Sequence, residues 1–414
     1  MKKSFRKIIS AMAGISMIAA LAGCGRQAAP EGSGAAAVGA QTQAVQNDAP
    51  GTQAADGSAQ ESGKNKLAYF FPLTGEQMQY GTMLQRGAEL ALELYNEEHG
   101  TSYTAEFHDD KGDATEAVNV ANKIVADPSV IAGLGSYSSS CAMAAAPIFE
   151  DNEMLLFSPN ASHTDFPAMG RFMFSCVMSQ KYEGAQFADE LFKVTGAKKL
   201  AIIYQNTDQG VLASELFSDQ WKSLGGEVVA MEAYVTGSTK DFSPVLSKIK
   251  EAGAEVIYAS AAYNEAAQIF LQAKNLNIEA QLVGPGMCLK NELLEITEDK
   301  ADGAIVLSSI PYFAEDSAER DDVDEATKNF ITRFTEKYGE IPDGFAASSY
   351  DTTNILLGFI DEVGTDSDAL RQKLAAMREF NGVSGYNMAF NENKEMVKGI
   401  YVFEIRDNTF VRIN

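Results

Sequence analysis

The residues best suited to chemistry in this chain stand together in 133-GLGSYSSSC-141, where four serines and Tyr137 follow the apolar run 130-VIAGLG-135. Small hydroxyls between a strand and the helical segment 140-SCAMAAAPIFED-151 let a ligand come close to the main chain. A helix start adds free N–H groups and the positive end of a dipole, which suit a carboxylate. Ser139 and Ser140 are therefore the expected seat of an anionic group, and Tyr137 is an expected wall beside it. Serine is also a favoured helix cap. A cap needs one serine, however, and three in a row point to binding. The segment 158-SPNASH-163 repeats the pattern: Pro159 ends a strand and small polar residues follow.

Other chemistries find less support. His99, His108 and His163 lie in separate segments, with His99 closing a helix beside Gly100. Ser162 and His163 are neighbours, and adjacent side chains converge poorly for general base catalysis. The sequence holds no HExxH, CxxC or phosphate-binding Gly-rich lysine loop. Asp109, Asp110 and Asp113 lack the spacing and distal glutamate of a calcium loop and read as a strand-to-helix turn, with Asp113 as N-cap. Phe330, Ile331 and Phe334 read as a core face, and 315-EDSAERDDVDE-325 as a solvated face that could border a partner contact. The expectation is a binding protein, not an enzyme, with no cofactor and no metal.

The elements that must position these residues form two runs. Strands 66–71, 103–109, 130–135 and 154–159 alternate with helices 82–98, 114–127 and 140–151. After a helix at 182–195, strands 199–205, 227–234, 255–260, 281–285 and 303–309 follow, with helices 211–223, 241–252 and 264–275 between the first four. Near-continuous apolar strands alternating with helices predict parallel βαβ units whose sheets are covered on both faces. Helices 321–338 and 345–363 come after the second sheet is complete, so the first lobe is where they should dock. A last strand pair, 384–391 and 399–405, is expected around a turn at 391–396. The fold class is α/β, with two doubly wound parallel-sheet lobes. The expected boundaries are 66–179 plus 311–394 for the first lobe and 180–310 plus 395–414 for the second. Several crossings between lobes would restrict motion to a hinge bend around a ligand.

The ends set the compartment. Residues 1–23 carry Lys2, Lys3, Arg6 and Lys7 ahead of an apolar run, and 21-LAGC-24 has the form of a lipobox. This is the pattern of a secretory signal ending at a cysteine that takes a lipid. Cys24 would then anchor the mature protein to the extracytoplasmic face of a bacterial membrane. Residues 24–64, rich in Ala, Gly, Gln and Ser, are expected to be a disordered tether. The net charge of −24 argues against nucleic acid and against anionic lipid surfaces. Cys141, Cys176 and Cys288 remain, an odd number that allows at most one bridge, such as Cys141–Cys176.

The segments 72-PLTGEQMQYG-81, 118-VNVANKIVAD-127, 136-SYSSSCAMAAAPIFED-151, 156-LFSPNAS-162, 240-KDFSPVLSKIK-250 and 284-GPG-286 carry a resemblance in their order and spacing. From Lys66 to the C-terminus the chain resembles the branched-chain amino-acid-binding branch of the type I periplasmic binding proteins. Those are Leu/Ile/Val-binding-like solute receptors of ABC importers. The resemblance implies a small-molecule ligand, an amino acid or related carboxylate, and a membrane permease as partner. It implies that Ser139 binds the carboxylate, that Asn160 contributes its backbone and Ser162 its hydroxyl, and that Tyr80 lines the cleft. Across the cleft, Gln209 stands where relatives often have tyrosine, and Tyr263 keeps an aromatic at a matching loop. Relatives place an acid for the ligand's ammonium after Gly-Pro, where this chain has Gly286. Either Asp208 or Glu265 serves instead, or the ligand has no α-ammonium there. Gly112 and Ser138 replace cysteines that pair in some relatives. A sensor subunit docking onto a membrane signalling partner is the alternative use of such a fold.

Overall fold

The computed structural model describes residues 63–414 other than 315 and 322, so the expected signal, Cys24 and nearly all of the tether lie outside the described residues. The first sheet is parallel throughout. It holds β1 (Lys66–Phe71), β2 (Thr104–Asp109), β3 (Val130–Gly135), β4 (Leu156–Ser158) and β5 (Met173–Ser175) in the order β2-β1-β3-β4-β5. Central β1 is fully enclosed from residue 67 to residue 71, as a strand covered on both faces must be. The covering helices are α1 (Met78–His99), α2 (Ala114–Ala126) and α3 (Ser139–Asp151). Asp113 caps α2 as expected, accepting from the amides of Thr115 and Glu116. Gly100 ends α1 in the left-handed region at φ 65°.

The second sheet contains β6 (Lys199–Gln205), β7 (Glu227–Tyr234), β8 (Val256–Ser260), β9 (Gln281–Pro285) and β10 (Ile305–Ser308). Its helices are α4 (Gln180–Thr195), α5 (Asp208–Ser223), α6 (Ser243–Glu251), α7 (Tyr263–Asn275) and α8 (Asn291–Thr297). Then come α9 (Glu325–Tyr338), α10 (Gly344–Val363) and α11 (Ser367–Ala376). Helix α10 returns to the first half. A Cβ at Gly87 of α1 would fall 2.0 Å from the Ala346 carbonyl oxygen of α10, so only glycine permits this approach. The buried hydroxyls of Tyr69 on β1 and Thr353 on α10 lie 3.0 Å apart.

The chain's end differs from the sequence expectation. Residues 384–391 form no strand ladder with 399–405, although the Gly399 amide donates to the Tyr386 carbonyl at 2.8 Å. Only β11 (Ala389–Phe390) and β12 (Met396–Val397) form a small hairpin. The amides of Val383 and Ser384 are drawn instead to the buried carboxylate of Asp351, which holds that stretch out of a ladder. Strand β13 (Tyr401–Arg406) joins β10 antiparallel, and β14 (Thr409–Arg412) joins β13, so the second sheet runs β14-β13-β10-β9-β8-β6-β7. Cys141, Cys176 and Cys288 are all free and buried, so the Cys141–Cys176 bridge does not form. Among the described residues, no helix is long and apolar enough to cross a membrane.

Candidate ligand-binding cleft

Chain direction sets which edges of the two sheets confront each other. Strand β5 leads from its C-terminal end into α4, and β10 leads from its C-terminal end back toward α9 and α10. Two side-chain ties lie at these connections. Ser309 donates to Glu183 at 2.6 Å, and Ser179 donates to Glu395 Oε1 at 3.0 Å. The loops at the C-terminal ends of both parallel sets therefore lie on the side of the connections, where ligands of open α/β sheets bind.

On the first half, a buried hydroxyl network fixes the loops. Ser136 donates to the enclosed Asp110, whose carboxyl is raised above its ordinary range by burial. Ser158 donates to the Ser136 carbonyl at 3.1 Å and accepts from the amides of Asn160 and Ala161 at 3.2 and 2.8 Å. The Asn160 side chain donates to the Tyr137 carbonyl at 2.8 Å, and Ser348 on α10 donates to the Pro159 carbonyl at 2.6 Å. These bonds lock the loops after β3 and β4 to each other and to α10.

The serines do not cap α3. Ser138 occupies the cap position without a side-chain cap bond, and its hydroxyl pairs with that of the exposed Ser140 at 2.6 Å. The half-buried Ser139 hydroxyl accepts from the amides of Ser162 and His163 at 3.2 and 3.3 Å. Among the described residues, the first-turn amides of Ser139, Ser140 and Cys141 have no protein acceptor. Hydroxyls and unpaired amides thus converge at one helix N-terminus. Burial pushes the Cys141 thiol up to about 11, which keeps it a neutral neighbour.

Beside this group, Tyr80 and Tyr137 stack with centroids 4.7 Å apart and planes 7° from parallel. Phe345 of α10 meets both rings edge-on, at 5.3 and 5.5 Å. The structure thus brings Tyr80, Tyr137, Ser139, Ser140, Asn160 and Ser162 together. Sequence reasoning missed Phe345, because nothing local marks an aromatic at a helix start as the neighbour of a loop so far away along the chain.

Gln209 lies in the first turn of α5 and Tyr263 opens α7, both at the C-terminal rim of the second sheet. Among the described residues, no hydrogen bond or ring contact joins Tyr263 to the first group. On the same rim, Gly286 follows β9, Tyr234 ends β7, and the buried Glu265 lies in the first turn of α7. Among the described residues, no group of three or more His, Cys, Asp or Glu is arranged to hold a metal ion.

Comparison with known proteins finds relatives of the whole described body. The model of a family described as periplasmic binding protein matches residues 64–409. The leucine-, isoleucine-, valine-, threonine-, and alanine-binding protein of Pseudomonas aeruginosa is 26% identical over 339 residues, covering 80% of this chain and 87% of that protein. A leucine binding protein from Thermotoga maritima superposes with a TM-score of 0.60 at 25% identity, covering 84% of this chain and 97% of that one. The branched-chain amino acid transporter substrate binding protein of Streptococcus pneumoniae, solved with isoleucine, gives 0.62 at 24% identity, covering 84% and 100%.

Proposed function

The chain belongs to the periplasmic binding protein family, and from that premise we propose that it is the ligand-capturing receptor of an ABC importer, tethered outside the cell membrane through Cys24. Its ligand is an amino acid or related small carboxylate taken up between two closing lobes. The observation that carries this reading is the convergence of the Ser139 hydroxyl and three unpaired amides at the start of α3. Dipole, amides and hydroxyl all favour a negative group there. The Tyr80–Tyr137 stack and Phe345 supply an apolar wall against which a hydrocarbon side chain gains by leaving water. Ser162 and Asn160 belong to the same grip, and Gln209 and Tyr263 close over the ligand from the second lobe. Three connections between the halves allow a bend while preventing free separation, so affinity comes from contacts that only the closed arrangement makes. The relatives named above are described as binding leucine, isoleucine, valine, threonine or alanine, and those five head the set to be tried.

Titration calorimetry and thermal shift of residues 63–414 against those five amino acids, and against each acid lacking its amine, test the reading. Saturable binding of at least one carboxylate is expected. Binding of sugars, with no carboxylate bound, would overturn it.

A further inference from the structure

An amino acid gripped by its carboxylate at α3 must still place its ammonium, because a buried unpaired charge costs several kcal/mol. The position after Gly284 and Pro285 cannot supply the partner. A Cβ on Gly286 would lie 2.8 Å from the Ser308 hydroxyl, which accepts from the Ile310 amide at 3.1 Å and donates to the Ile310 carbonyl at 2.7 Å. An acidic side chain there would displace a serine fixed at the connection between the halves.

Elsewhere on the same rim, two polar groups are short of partners. The Tyr234 hydroxyl is buried, with the Gln205 and Thr236 side chains nearby but no well-formed hydrogen bond to either, and the residue is only 3% exposed. Glu265, 9% exposed, accepts one long hydrogen bond, at 3.3 Å from the Gly237 amide. The two are electrostatic neighbours. Burial, with Glu265 adding to it, pushes the Tyr234 phenol up to about 12, so it keeps its proton and offers lone pairs at neutral pH. Buried polar groups are normally satisfied, and a buried carboxylate with one long bond is under-compensated. Tyr263, already placed in the closing face, stands two residues before Glu265 on the first turn of α7.

We propose that Glu265, with the Tyr234 hydroxyl beside it, receives the ligand's ammonium, so that the receptor selects amine-bearing carboxylates although no acid stands at position 286. This rests on the carboxylate-receptor reading above. A glutamate in a helix's first turn also complements the dipole. That role affects stability alone and cannot distinguish a ligand with an amine from one without.

The experiment measures calorimetric affinity for L-leucine and for 4-methylpentanoate, the same skeleton without the amine, in wild type, Glu265→Gln, Tyr234→Phe and Ser139→Ala. Glu265→Gln retains an acceptor for the Gly237 amide. It should weaken leucine by about tenfold or more while leaving 4-methylpentanoate within about twofold. Tyr234→Phe should weaken leucine by a smaller factor with the same selectivity, and it carries the test if the first variant fails to fold. Ser139→Ala should weaken both ligands. Loss of affinity for both ligands in Glu265→Gln, or for neither, overturns the inference, as does tighter wild-type binding of 4-methylpentanoate than of leucine. In each of these cases Ser139→Ala sensitivity leaves the receptor reading standing. A wild type that binds no carboxylate of the wider panel overturns both.

Discussion

Ser139→Ala separates a binding hydroxyl from a structural one. The hydroxyl accepts from two main-chain amides at 3.2 and 3.3 Å, both long, on a half-buried side chain. Net contributions of ordinary hydrogen bonds run about 0.5–1.5 kcal/mol, and long, half-exposed ones fall at or below the low end. Deleting the hydroxyl should therefore cost the empty protein less than about 1 kcal/mol, or a melting shift of under roughly 2 °C for a body of this size. In those contacts the hydroxyl only accepts, so its proton is available to a carboxylate. A hydrogen bond to a charged group is worth about 1.5–3 kcal/mol. The two amides released by the substitution can turn to the ligand and offset part of that loss. The net expectation is a loss of about 1–3 kcal/mol, which raises Kd roughly 5- to 150-fold at 1.4 kcal/mol per tenfold. Calorimetry with the tightest ligand of the panel, beside a melt of the empty protein, reads both quantities. Ser140→Ala is the internal comparison, since that hydroxyl is exposed and already paired with Ser138, and it should change Kd less. An unchanged Kd in Ser139→Ala, or an equal effect at Ser140, refutes the reasoning.

Two further perturbations probe the connection and the anchor. Glu183, accepting from Ser309 where the halves join, has its carboxyl raised by desolvation, with the Ser309 bond and Lys398 opposing. A raised acid adds stability that is present below its ordinary value of 4.5 and lost as pH climbs through the folded value. Glu183→Gln should therefore gain melting temperature relative to wild type between about pH 4 and about pH 8, and a constant difference across that range would count against a charge penalised by desolvation. Cys24→Ser should move the protein from the membrane fraction of its host to the soluble extracytoplasmic fraction, and retention with membranes would rule out the lipid as the anchor.

Much of the scaffold was legible because parallel strands covered on both faces leave continuous apolar runs, as in 66-KLAYFF-71 and 199-KLAIIYQ-205. Strand β5 escaped because three residues are too few to show a period, and α8 and α11 because short helices have little room for one. The pairing of β13 was misassigned because its partner is chosen by the free edge of β10, which no local pattern reports. At the site, residue types gave away the serine cluster, but not the bonds that tie Ser139 to the amides of Ser162 and His163. Glu265 could be named only by its loop. Its single bond and its poorly satisfied neighbour Tyr234 emerge from packing between α7 and the loop after β7.

The late return of the chain to both halves governs the order in which the molecule can be assembled. The first half lacks the helix over α1 until residues 344–363 exist, and the second leaves the edge of β10 bare until residues 401–412 arrive. Each half therefore has its full set of elements only once these late residues have been made. A chain cut short near residue 400 would instead carry an unprotected strand edge and tend to aggregate.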